Sequence, residues 1–157
     1  MIHNFVGIFD NIPIRAAFFG WLIAQILKVP IYYSLSGKVE WTRVLSSGGM
    51  PSSHSSAICA ATVSIGMIQG FNSAVFGLAA VMSCVVMFDA AGVRRATGKH
   101  AELLNEIVDI FRGEVELTDA RLKELIGHTP FEVFVGAWIG IITGIITTLI
   151  WVKPMAI

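Results

Sequence analysis

Gly48-Gly49-Met50-Pro51-Ser52-Ser53-His54-Ser55 leads straight into an apolar run from position 57 to position 68. Turn-forming residues, hydroxyls and an imidazole thus stand at the mouth of a membrane-type helix. Such residues add little to packing but are suited to holding an oxyanion. Backbone N–H groups at a helix start point outward and carry the positive end of the dipole. An imidazole there can exchange a proton near neutral pH.

The surrounding composition is that of an integral membrane protein. Of 157 residues, enough for one domain over 1–157, 55% are hydrophobic and only 14% charged, against about 25% charged in a soluble domain. The mean hydropathy is +0.73. The formal net charge is zero, so nothing points to a nucleic-acid partner. Cys59 and Cys84 fall inside apolar runs and read as small buried hydrophobes, not as a disulfide framework. The N-terminus lacks a basic n-region, and Asp10 and Pro13 interrupt the first apolar stretch, so no signal peptide is expected.

Four apolar segments can be drawn, at 13–35, 54–69, 71–92 and 130–152. They predict an all-α bundle of about four transmembrane helices. Pro30 is expected to kink or end the first. The second falls short of the roughly 17–20 residues a crossing needs, so it is expected to start inside a cavity. Positions 1–9 fit an interfacial helix. The first-to-second and third-to-fourth connections carry Lys28, Lys38, Arg43, Arg94, Arg95, Lys99, Arg112, Arg121 and Lys123, while the opposite side carries only Arg15 and Lys153. By the positive-inside rule the basic side faces the cytoplasm, with both termini outside, and the inner (plasma) membrane is the expected location.

The connection at 100–127 has a helical pattern of its own. Leu103, Leu104, Ile107, Val108, Ile110 and Phe111 alternate with Glu102, Glu106 and Asp109. Thr118 is a candidate N-cap for a second short helix through Ile126. An amphipathic helical hairpin between the third and fourth spans is therefore expected, lying on the membrane, over the site or against the bundle.

Ionisable residues in membrane segments cost about 2.5–3.5 kcal/mol each on insertion scales. Here they gather at the ends of the spans: Lys28, His54, Asp89, Arg94, Arg95, His128 and Glu132. In a four-span bundle all of these positions fall on the basic side, which predicts one polar pocket there. Each also has a plainer use. Lys28, Arg94 and Arg95 fit headgroup anchors, Asp89 a structural ion pair, and Ser52 or Ser53 a helix cap. Thr129-Pro130-Phe131-Glu132 fits a capping box. His128 and Glu132 are nonetheless at i and i+4, where side chains can meet, and a carboxylate against one imidazole nitrogen orients the ring and activates the other. The cations suit a phosphate; of the two histidines, one can attack phosphorus and the other protonate the leaving oxygen. A zinc site is disfavoured by the same cations.

Pro51-Ser52-Ser53-His54 resembles the Pro-Ser-Gly-His motif of the type-2 phosphatidic acid phosphatase and vanadium haloperoxidase superfamily. His128-Thr129-Pro130-Phe131-Glu132 resembles its His-x-x-x-Asp segment, and Asp89-Ala90-Ala91-Gly92-Val93-Arg94-Arg95 completes a likeness to a divergent, haloperoxidase-related branch across residues 28–144. The resemblance implies a phosphohistidine hydrolase with His128 as nucleophile, Glu132 orienting it and His54 as general acid. It also implies phosphate contacts from Lys28, Ser52, Ser53 and Arg94 or Arg95, with Asp89 in support. No metal or other cofactor enters such a scheme. The implied substrate is a lipid phosphate or polyprenyl diphosphate. The chain departs from the pattern in having Ser53 for glycine, Glu132 for aspartate, and Leu122 six positions before His128 where the family has arginine. A non-catalytic membrane protein binding an anionic headgroup or a protein partner is the alternative reading.

Gly136, Gly140 and Gly144 form a small-xxx-small stripe. It serves either close packing within the chain or a homodimer seam.

Overall fold

A computed structural model describes residues 7–45, 48–111 and 128–152, with backbone only at 43, 45, 93–95, 97, 102 and 108–111. The five long helices are α1 (Ile12–Ser36), α2 (Ser53–Gln69), α3 (Ala74–Ala91), α4 (Val93–Phe111) and α5 (Pro130–Trp151), with a short 3₁₀ turn at Trp41–Leu45. No strand occurs among the described residues. The protein is an all-α integral membrane protein.

Local chemistry sets the helix ends. Asn11 caps α1 by accepting from the Ile14 N–H at 3.2 Å, with proline in the first turn. Gly37 closes the helix at φ 69°, its N–H donating to the Tyr33 carbonyl, a conformation glycine adopts without steric cost. Pro30 does not end α1, a helix of 25 residues that continues past it to Ser36. Proline removes one backbone donor, a loss that membrane helices tolerate where neighbouring groups re-satisfy the backbone. Ser73 caps α3 by accepting from the Phe76 N–H.

By length and composition, α1, α3 and α5 are able to cross a membrane. The expected fourth span, α2, has 17 residues and buries Ser53, Ser55, Ser56, Thr62 and Ser64. It is the hub of the bundle, packed against α1, α3 and α5. Being covered by protein, it needs hydrogen-bond partners more than an apolar surface. Ser56 Oγ donates to the Gly20 carbonyl at 2.7 Å, Thr148 Oγ1 donates to Ser64 Oγ at 2.8 Å, and the Thr62 and Ser83 hydroxyls lie 2.8 Å apart. Each hydroxyl is satisfied inside the bundle, as burial demands.

The packing of α2 on α5 has a fixed register. A Cβ on Gly144 would lie 2.6 Å from the Ala60 carbonyl, and Cβ atoms on Gly140 and Gly136 would press still harder on the backbones of Ser56 and Ser52. Ser64 meets Thr148 at the same 84-residue offset as these glycine contacts. A constant offset means that the two helices run parallel. α1 is antiparallel to both: Gly20 meets Ser56, and Phe19 stacks on Trp151 with ring centroids 5.6 Å apart. Arg15 pairs with Asp10 at 2.9 Å and lies 5.6 Å over the Trp151 ring, tying down that end.

Several expectations are revised. The glycine stripe is filled by α2 of the same chain, so Gly136, Gly140 and Gly144 offer no free homodimer seam. The amphipathic helix begins at Val93 rather than near His100, directly after α3. The second helix of the expected hairpin lies outside the described residues, as do Arg112, Arg121 and Lys123. Cys59 is buried beside Met87, but Cys84 is exposed, facing away from the bundle.

Close packing at the stripe has a direct test. Gly140→Leu should destabilise the detergent-solubilised protein by about 1–3 kcal/mol, the usual range for overpacking. Gly77→Leu on α3, where nothing lies within 4 Å, should leave the melting temperature nearly unchanged. Equal melting temperatures for the two variants would contradict the parallel α2–α5 seam.

Candidate functional site

Parallel packing carries the N-termini of α2 and α5 to one end of the bundle, where the antiparallel α1 delivers Lys28. The Ser52 N–H donates to the Glu132 carbonyl at 3.1 Å and fixes the level of the two helix starts. Ser52 caps α2, its hydroxyl accepting from the Ser55 N–H and from the Ser55 hydroxyl at 2.9 Å. Ser52, Ser53, Ser55 and Ser56 are all sealed from solvent. The start of α2 is therefore interior, and its dipole acts in a medium that screens poorly.

A cavity of about 200 Å³ opens beside this junction, lined by Lys28, Ile31, Tyr32, Leu35, Gly48, Gly49, Met50 and Glu132. Lys28 is only 2% exposed. The Gly48–Met50 turn forms the opposing wall, with Gly49 at φ +87°, which requires glycine or a strained backbone. Tyr32 donates to Glu40 Oε1 at 3.1 Å and closes one side.

Thr129 and Glu132 form the expected capping box. The Thr129 N–H donates to Glu132 Oε2 at 2.8 Å, and the Glu132 N–H donates to Thr129 Oγ1 at 3.3 Å. The same Oε2 lies 3.4 Å from His128 Nδ1. At that distance the contact is an ion-pair approach, not a formed hydrogen bond. His128 is 3% exposed, and neither ring nitrogen has a hydrogen-bond partner. A buried imidazole without partners is costly. It is the kind of orphan that points to an unfilled chemical role.

The structure thus brings Lys28, Ser52, Ser53, His128 and Glu132 to one end of the bundle. His54 sits in the first turn of α2 but is exposed and outside the cavity lining. Asp89, in the last turn of α3, lines a separate shallow depression with Cys84, Val85 and Phe88. Arg94 and Arg95 fall in the first turn of α4, and their side chains lie outside the described set. Tyr32 and Gln25 were not singled out by the sequence. They lie four residues after and three before Lys28, and that helical spacing was the available signal. Gln25 is 7% exposed, and its Oε1 has no partner.

Chemically, the site offers a buried ammonium, the positive ends of two parallel helices, and an imidazole held near a carboxylate. That set suits a tetrahedral oxyanion. Lys28→Met should retain folded yield, since an apolar isostere removes a desolvated charge. It should also abolish the thermal stabilisation that orthovanadate gives the parent protein, about 2.7 kcal/mol at a hundredfold excess over Kd. Undiminished vanadate stabilisation in Lys28→Met would remove the lysine from the site.

A family model described as the divergent PAP2 family matches residues 9–143. The chain is 39% identical over 151 residues to the uncharacterized membrane protein YuiD of Bacillus subtilis (strain 168), a match spanning 89% of this chain and 93% of that protein. No solved structure matches.

Proposed function

Because the chain belongs to the divergent PAP2 family, we propose that it is a membrane phosphatase acting on a lipid phosphate or polyprenyl diphosphate through a phosphohistidine. The observation that carries this reading is His128: buried, with Nε2 unpartnered, and 3.4 Å from the Glu132 carboxylate, which itself lines the cavity that holds the buried Lys28. A nucleophile needs such a ring, steered by a carboxylate on one nitrogen and open on the other.

In the proposed reaction, His128 Nε2 attacks phosphorus and the bond to the leaving oxygen breaks. That oxygen takes a proton from His54, whose exposed position suits a leaving alcohol at the mouth of the cavity. Water, giving a proton to His54, then attacks the phosphohistidine; the P–N bond breaks, phosphate leaves and both histidines are restored. Lys28 and the N–H groups at the start of α2 offset charge on the phosphoryl oxygens. Arg94 or Arg95 joins them from α4, and Asp89 supports that side. Ile31 and Leu35 in the cavity wall suit a substrate whose tail stays in the bilayer. The positive-inside count supports a mouth at the cytoplasmic face.

A second reading has an observation in its favour. Neither His54 nor His128 is among the residues lining the cavity, so the pocket also suits a non-catalytic protein that holds an anionic headgroup. Phosphate release from phosphatidate and from polyprenyl diphosphate by the purified protein separates the two. Release should be abolished in His128→Ala and fall about 10²–10⁴-fold in His54→Gln, the usual share of a general acid. Glu132→Gln should impair turnover more than substrate binding. Binding of these lipids without phosphate release would favour the second reading. Release that survives His128→Ala would exclude the phosphohistidine route.

A further inference from the structure

The most unusual surface outside the site is on α4. Gly98 and Asn105 are buried, whereas Leu103, Leu104 and Ile107 are about half exposed. Ala96, Lys99, His100 and Glu106 are exposed on the same side, so the outward side of α4 is basic and polar near α3 and carries an apolar patch further along. Leu103, Leu104 and Ile107 are spaced at i, i+1 and i+4 and so share one face. Among the described elements α4 packs only against α3.

We propose that α4 lies in the plane of the bilayer surface, with Leu103, Leu104 and Ile107 immersed in the lipid of the leaflet that bears the site. Three observations identify lipid as the occupant. α4 starts two residues after the end of α3, a membrane-crossing helix, and is thus delivered to the membrane surface by its own chain. Val85 and Phe88, near that end of α3, are also outward-facing and exposed, so the apolar surface of the span continues toward α4. The sequence also places Arg94, Arg95 and Lys99 in the first half of α4, next to the span, and Glu102, Glu106 and Asp109 in the second half. A basic end beside an apolar stripe fits anionic headgroups above acyl chains. α4 itself is too polar to span.

Nitroxide labels on single cysteines test this in the full-length protein, with Cys59→Ala and Cys84→Ala as background. The protein is reconstituted into phosphatidylcholine vesicles with and without phosphatidylglycerol. Labels at 103, 104 and 107 should be relaxed strongly by oxygen and little by a water-soluble nickel chelate. A label at Glu106 should show the reverse. The oxygen-to-nickel accessibility ratio should differ about tenfold between the two faces, and phosphatidylglycerol should widen the gap. Equal nickel accessibility on both faces would overturn the proposal, because α4 would then stand in water. Labels at 103, 104 and 107 that are immobilised and shielded from both reagents would overturn it too, because protein, such as residues 112–127, would then cover the stripe. The outcome does not depend on phosphatase activity.

Discussion

The contact between α2 and α5 is the constraint from which the rest of the molecule follows. Apolar burial does not drive helices together inside a bilayer, because lipid is as apolar as a leucine side chain; close backbone approach and interhelical hydrogen bonds do. Gly136, Gly140 and Gly144 supply the approach, and Ser52, Ser56, Ala60 and Ser64 meet it with equally small side chains. Among the described helices the stripe is met by α2, which runs in the same direction. Parallel neighbours cannot be joined by a short turn, so the chain returns through α3 before entering α5.

Parallel alignment also has an electrostatic consequence. Two helix N-termini at one level place two partial positive charges side by side, with Lys28 nearby in the same poorly screened interior. Glu132 offsets part of this charge, but its Oε2 is already engaged by Thr129 and approached by His128. The junction therefore gathers two helix N-termini and a lysine around a cavity of about 200 Å³. An anion there would relieve the mutual repulsion of the helix ends, whatever chemistry follows.

What the sequence disclosed follows the range of the interactions involved. The long spans were legible because bilayer thickness imposes a length and a composition on each. The caps at Ser52 and Thr129 were legible because capping is settled within three or four residues. Of the two outcomes open for Pro30, ending the helix did not occur, because its local cost is absorbed by a helix that continues for six more residues. The glycine stripe was visible, but its mate was not: serines at 52, 56 and 64 read locally as polar intrusions and become small complementary surfaces only beside α5. Tyr32 was hidden for a related reason, since an aromatic near a membrane surface has an ordinary use as an anchor and gains a role only once the Gly48–Met50 turn faces it.

Capping and chemistry were posed for Glu132 as competing uses; the geometry shows the capping box and sets the same carboxylate oxygen 3.4 Å from the His128 ring, so the one does not preclude the other. A free glutamate beside a histidine would sample several rotamers and meet the ring only part of the time. Here the Thr129 N–H holds Oε2 at 2.8 Å, and His128 is the residue immediately before that donor. The backbone that anchors the carboxylate is thus continuous with the backbone that carries the imidazole, and little conformational entropy is left to lose when the two engage. Glutamate is also the acidic residue that a capping box uses at N3. The extra methylene relative to the aspartate of the resembled motif is what lets one side chain close the cap and still reach the neighbouring ring.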